Sequence, residues 1–221
     1  MYSLAYDTTG AQCAVILQKD NQILSRYTEL MDFGQAEVLI PQLQKMFADA
    51  DLQFCDLNLL TVCVGPGSFT GVRAAIAAAR AFSIACLQLS VCGVSAFEAY
   101  ALSFDEEELA ERNAVIIETK RDDFYYQAFD RDLKSLTPPQ ALDYDSLRAD
   151  LRHHKVSLVG DGVERFLSRP SGLSLHCIKM PEALPIENLA AAGLRRFAQK
   201  QLDFPKPLYL RAPDVSLPKA K

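Results

Sequence analysis

The stretch Val64-Gly65-Pro66-Gly67-Ser68-Phe69-Thr70-Gly71-Val72-Arg73 constrains this chain more than any other. It follows the unbroken apolar run Leu59 to Val64 and leads into an alanine-rich segment reaching about Leu87. The reading is a buried strand that turns through glycines into a long helix. Helix N-termini bind anions through unpaired N–H groups and the helix dipole, so the stretch is tested against phosphate-loop spacings. It is not G-x-x-x-x-G-K-[ST], and Arg73 does not replace the lysine in register. It is not G-x-G-x-x-G either, because the third glycine arrives one residue late at Gly71 and no acid follows about twenty residues on. Nor is it the G-x-S-x-G elbow, since Ser68 follows Gly67 directly. Two readings remain for Gly65, Gly67 and Ser68: a structural turn with a helix cap, or a contact with a ligand or partner.

Around this stretch the order is three strands (Ser3 to Asp7, Cys13 to Gln18, Ile23 to Thr28), helix, strand, helix, strand, helix. The first helix, Gln35 to Ala50, buries a stripe that includes Ala36, Leu39 and Leu43, and Pro41 should bend it. A strand at Leu89 to Cys92 leads to Ser95-Ala96-Phe97-Glu98, a capping box that opens the third helix. The acidic run Glu106-Glu107-Glu108 marks a boundary near residue 104, giving lobes of 1–104 and 105–221. That run is either a solvated linker or a surface for a basic partner. The second lobe begins with a hairpin, Ala114 to Glu118 and Phe124 to Phe129. A helix near Asp143 to Leu151, a strand at Val156 to Val159, a helix at Glu187 to Leu202 and a proline-punctuated tail follow.

Two further turns carry candidate chemistry. Asp7-Thr8-Thr9 is either a hairpin turn or an acid-and-hydroxyl site for a metal-phosphate group. Gly160-Asp161-Gly162 is a plain turn or a second phosphate-facing loop. The helix after Gly71 has small residues almost all round, which suits burial in its own domain or a helix-to-helix subunit contact. Arg73 and Arg80, seven apart, would lie near one face of it.

Composition narrows the function classes. The 221 residues carry 23 Lys plus Arg against 28 Asp plus Glu, a net charge of −5 that argues against a chain gripping nucleic acid unaided. With no apolar run long enough to span a bilayer and no secretory leader, the expected location is the cytoplasm. The six cysteines sit in apolar segments without a C-x-x-C pair and are expected to be reduced and buried. His153, His154 and His176 form neither H-x-x-x-H nor H-E-x-x-H, so no protein-made metal site is expected.

Taken together, VGPGSFTGVR at 64–73, LAYDTTG at 4–10, AEVLIPQL at 36–43, VSAFEAYA at 94–101, RDDFYYQAF at 121–129 and PLYLRAPDV at 207–215 resemble the TsaB (YeaZ) family of tRNA threonylcarbamoyladenosine biosynthesis proteins. The resemblance implies an α/β actin-like ATPase fold, RNase H-like, built of two related lobes. It also implies a subunit that is not itself the catalyst. Its partner TsaD holds metal and nucleotide and transfers the threonylcarbamoyl group to N6 of adenosine 37 in tRNA, and the ATPase TsaE joins the pair. ATP and metal are thus expected on the partner subunits, and tRNA is met through the complex. By this likeness the first lobe's helices form the TsaD contact, or a homodimer in its absence, through Ala36, Leu39, Leu43, Phe69, Gly71, Val72, Arg73, Ala77 and Arg80. Where the family often has His-Ser before Glu37 this chain has Gln35-Ala36, and where it often has Asp-Ala-Arg this chain has Glu118-Thr119-Lys120. The rival expectation is an active nucleotide-dependent phosphotransferase, or a peptidase, on the same fold. Asp7, Thr8, Thr9, Gly160, Asp161 and Gly162 motivate the phosphotransferase.

Overall fold

The computed structural model describes residues 1–20 and 22–211. Asn21 of the first turn and positions 212–221 of the tail lie outside the described residues. The first sheet holds β1 (Tyr2–Asp7), β2 (Gln12–Lys19), β3 (Gln22–Leu30), β4 (Leu59–Cys63) and β5 (Ser90–Val94). Between them run α1 (Gln35–Asp49) and α2 (Phe69–Ala85), and α3 (Ala96–Ala101) follows β5. The second sheet holds β6 (Arg112–Glu118), β7 (Asp123–Phe129), β8 (Gln140–Asp143), β9 (Lys155–Val159) and β10 (Ser174–Lys179), with α4 (Tyr144–Leu151) and α5 (Val163–Leu167) interposed. The helix α6 (Ile186–Ala198) comes last.

The sheet orders, β3-β2-β1-β4-β5 and β8-β7-β6-β9-β10, are the same topology used twice. In each, three antiparallel strands come first, and the fourth and fifth join in parallel beside the first. No repeat in the amino-acid sequence announces this duplication. A pattern of burial can repeat without its residues doing so.

Side-chain alternation explains the layering. In β1 and β2 the residues Leu4, Tyr6, Cys13, Val15 and Leu17 point to one face and pack with α1 and α2. Ala5, Ala14 and Ile16 point to the other, against α3 and α6. That second face is lined by small residues because α6 lies close on it: a Cβ on Gly193 would sit 1.8 Å from Thr61 Oγ1. One continuous core joins this face of the first sheet to Val115, Ile117 and Val159 of the second. Beyond the second sheet, α4 and α5 cover a separate cluster built on Phe124, Tyr126, Leu147 and Phe166. The layers therefore run helices, sheet, helices, sheet, helices. The helix last in sequence packs on β1, β4 and β5 of the first sheet, and Arg196 of α6 pairs with Glu98 of α3 at 2.6 Å.

Several local expectations are met. Ser95 Oγ accepts from Glu98 N, and the Glu98 carboxylate accepts from Ser95 N, closing the capping box. Ser68 and Asp143 cap α2 and α4 by accepting from Gly71 N and Ser146 N. The helix α1 continues through Pro41, which lies on its exposed side. The cysteines require a correction: Cys55, exposed in the middle of the short 3-10 turn Phe54–Asp56, is joined by a disulfide to Cys86 at the C-terminus of α2. Cys13, Cys63 and Cys92 are free and buried as expected, and Cys177 is free but only partly covered.

Candidate functional site: the interlobe cleft and the outer face of the first helices

The two turns that carry candidate chemistry in the first lobe interlock. Ser68 N donates to the Thr9 carbonyl at 2.7 Å, and Thr8 Oγ1 donates to the Gly71 carbonyl at 2.9 Å. Gly67 and Gly71 are required at this crossing, since a Cβ on them would lie 2.1 Å from Thr9 O and 1.9 Å from Thr8 O. Gly65, at φ +97°, turns the chain in the left-handed region that glycine favours. Asp7 is fully buried, and its carboxylate accepts from Thr9 N (2.8 Å), Thr9 Oγ1 (2.7 Å) and Gln12 Nε2 (3.0 Å). Gln35, standing where the resembled family often has histidine, donates to the Gly10 and Met31 carbonyls and ties α1 to the same turn.

The second lobe presents its own turn opposite. Gly160, at φ +128°, and Gly162 pass close to the backbone at Ile116 and Ile117. Asp161 Oδ1 accepts from Glu118 N at 2.9 Å. Burial is the main cause that lifts the Asp161 carboxyl to about 6, with the charges of Glu118 and Asp7 adding to it. Glu118 is held in turn by a two-pronged pair with Arg165, 2.6 and 2.9 Å. A small cavity between the lobes brings Asp7, Tyr100 and Asp161 to its walls.

Next to it a cleft of about 530 Å³ opens between the lobes. Thr9, Gly67, Ser68 and Phe69 line it from one side, and Glu118 to Arg121 with Asp161 from the other. Leu208 to Arg211 of the tail complete the wall, a contribution signalled in the sequence only by the PLYLRAPDV match. Asp7, Thr8, Thr9 and Asp161, the acids and hydroxyls that could face a metal-phosphate group here, each have a hydrogen-bond partner inside the chain. Among the described residues no three His, Cys, Asp or Glu side chains converge to hold a metal ion.

The helix residues divide by exposure. Leu39, Leu43, Gly71 and Val72 are enclosed by the chain's own core. Phe69 is half-buried under the Arg73 guanidinium, 3.8 Å above its ring. Ala36, Arg73, Ala77 and Arg80 are exposed, and Ile40, Ala81 and Ile84 join them on the outer surface of α1 and α2. This surface is small-residued and apolar with basic points, and Ile84 is 77% exposed. Sequence periodicity could not sort these residues, because alanines on both sides of α2 give no contrast between its inner and outer faces.

Two lobes of one topology, closed on each other across paired glycine turns, define the actin-like ATPase fold. The profile of the family described as "TsaD: tRNA N6-adenosine threonylcarbamoyltransferase" matches residues 34–217, and the chain belongs to that family. It is 25% identical over 225 residues to the Escherichia coli (strain K12) "tRNA threonylcarbamoyladenosine biosynthesis protein TsaB", covering 96% of this chain and 95% of that protein. The structure of YeaZ from Pseudomonas aeruginosa superposes with a TM-score of 0.77 at 22% identity, covering 95% of this chain and 99% of that one. The ethanolamine utilization protein EutJ from Carboxydothermus hydrogenoformans shares the fold at a TM-score of 0.54 and 12% identity, over 86% and 89% of the two chains. Among the described residues no helix is long and apolar enough to cross a membrane.

Proposed function

We propose that this chain is a non-catalytic partner subunit in the formation of N6-threonylcarbamoyladenosine at position 37 of tRNA. It docks on a TsaD-type subunit through the outer face of α1 and α2, and a TsaE-type ATPase joins the pair. The observation that carries this reading is the cleft chemistry: Asp7, Thr8, Thr9 and Asp161 each hydrogen-bond to groups within the chain and brace its turns. Nucleotide and metal then belong to the partner subunits. The name and near-complete coverage of the Escherichia coli relative support the pathway. The net charge of −5 suits a subunit that leaves the tRNA phosphates to another chain. The exposed alanine and isoleucine surface of α2 offers the close helix approach that a subunit contact uses, and in the absence of TsaD the same surface would pair two copies of this chain.

Reconstituting tRNA modification from purified TsaD-type and TsaE-type subunits, with and without this chain, tests the proposal. Product should form only when the chain is present, and full activity without it would overturn the reading. One observation favours a nucleotide-dependent phosphotransferase instead, namely the cleft of about 530 Å³ between the lobes. Calorimetry of the isolated chain with ATP and magnesium separates the two, since micromolar affinity would support the phosphotransferase.

A further inference from the structure

The segment after α6 is unlike an ordinary tail. It leaves the helix at Lys200, in the left-handed region at φ +57°, and runs back along the first lobe. The Asp203 carbonyl accepts from Gly93 N at 3.1 Å, and Leu208 N donates to the Val64 carbonyl at 2.8 Å. These bonds fasten it to the ends of β5 and β4. The lobe is shaped to receive it, because a Cβ on Gly93 would come within 3.1 Å of Pro205 Cα, and one on Gly65 within 3.4 Å of Leu208 O. Leu208 and Leu210 pack onto the core shared by the two sheets.

Past that anchor the segment crosses from one lobe to the other. The Tyr209 ring lies 5.3 Å from that of Phe69 at the start of α2, and its hydroxyl accepts from Arg73 Nε at 3.1 Å. Two residues later Arg211 pairs with the carboxylate of Asp123 at the start of β7, and its guanidinium lies 5.5 Å over the Tyr125 ring. Asp123 is itself fixed, its carbonyl accepting from Arg165 and from Thr119. Leu208 to Arg211 form one wall of the interlobe cleft, so the span between the two anchors lies along the cleft itself.

We infer that Leu208–Arg211 is a latch between the lobes, with Tyr209 as its catch on α2 and Arg211 as its catch on β7, and that its release opens the cleft. Each catch is small, one ring contact with a hydroxyl on one side and one ion pair with a ring contact on the other, while Leu208 stays anchored to Val64 and Leu210 to the core. Contacts of that size hold a segment in place yet allow it to open locally while the cores stay folded. The latch does not depend on what docks on α2. It does engage Arg73, so a partner that draws on Arg73 competes with the Tyr209 hydroxyl.

Hydrogen–deuterium exchange on the full-length chain tests this by reading each catch at the opposite lobe. The variant Arg211→Ala should raise exchange roughly fivefold in the glycine turn at 65–70, which Arg211 does not touch, the size expected for loss of one ion pair with a ring contact. The variant Tyr209→Ala should do the same at 118–123. Amides of β9 serve as the folding control and should exchange as in the parent chain in both variants. If each substitution loosens only its own side, or neither changes exchange, the segment is a packed extension and the latch is wrong. Should Tyr209→Ala also loosen β9, Tyr209→Phe replaces it, and an unchanged 118–123 turn there together with an unchanged 65–70 turn in Arg211→Ala would likewise overturn the inference.

Discussion

Gly67 and Gly71 are where the first lobe is least forgiving, since each lies against a carbonyl of the Asp7–Thr9 turn with no room for a methyl group. Gly71→Ala should cost about 1–3 kcal/mol of stability in urea denaturation, the range for forced overpacking of a close contact. Gly10→Ala, with nothing within 4 Å of its Cβ, should change stability by about 0.5 kcal/mol or less. The two motifs were each legible in the sequence, but their interlock was not, because more than fifty residues separate them and no spacing rule connects them. Asp161 gives a second test at this scale. Its carboxyl holds its proton up to about 6 in the folded chain, against about 3.9 unfolded, so the folded state binds the extra proton between those values. Stability from this group is full below the window and falls as pH rises through it, by about 1.4 kcal/mol for each unit. Asp161→Asn should remove that fall, so the variant gains on the parent chain between pH 4 and 6 and keeps a constant advantage above, as urea midpoints across that range would read. Parallel pH profiles for the two chains would contradict the assignment.

Among the elements, those with strong period or clear caps were readable: α1 from its apolar stripe, α3 from Ser95 and Glu98, β4 from its unbroken apolar run. The misses have physical causes. Four residues in β8 and five in α5 are too few to display a period. In β10 the outer position at the sheet edge leaves most side chains exposed, so no buried pattern marks it. The placement of α6 was also hidden. Its amphipathic pattern gives a helix with one buried face but not the sheet that buries it, and contacts with β1 and β4 reach back more than a hundred residues. Gly193→Ala tests that placement, since the new methyl would meet Thr61 of β4. A loss of about 2 kcal/mol or more in urea denaturation is expected, and a neutral effect would mean that α6 does not lie against β4.

At the scale of the whole molecule, one topology used twice encloses a cleft between its two sheets, while a helix pair turns a small-residued surface outward. Composition bore on this scale only as a constraint, through an acidic balance unsuited to holding RNA alone. Which helix residues face outward was settled by packing: Ala77 is open where Val72 and Leu39 are closed. Docking of this outward surface on a TsaD-type subunit is read by calorimetry of the purified chain titrated with that subunit, supported by size-exclusion chromatography. A stable one-to-one complex is expected, one that Ala77→Glu abolishes while the variant keeps the parent chain's unfolding midpoint. No heat and no complex at tens of micromolar, or undiminished binding by the Ala77→Glu chain, would contradict it.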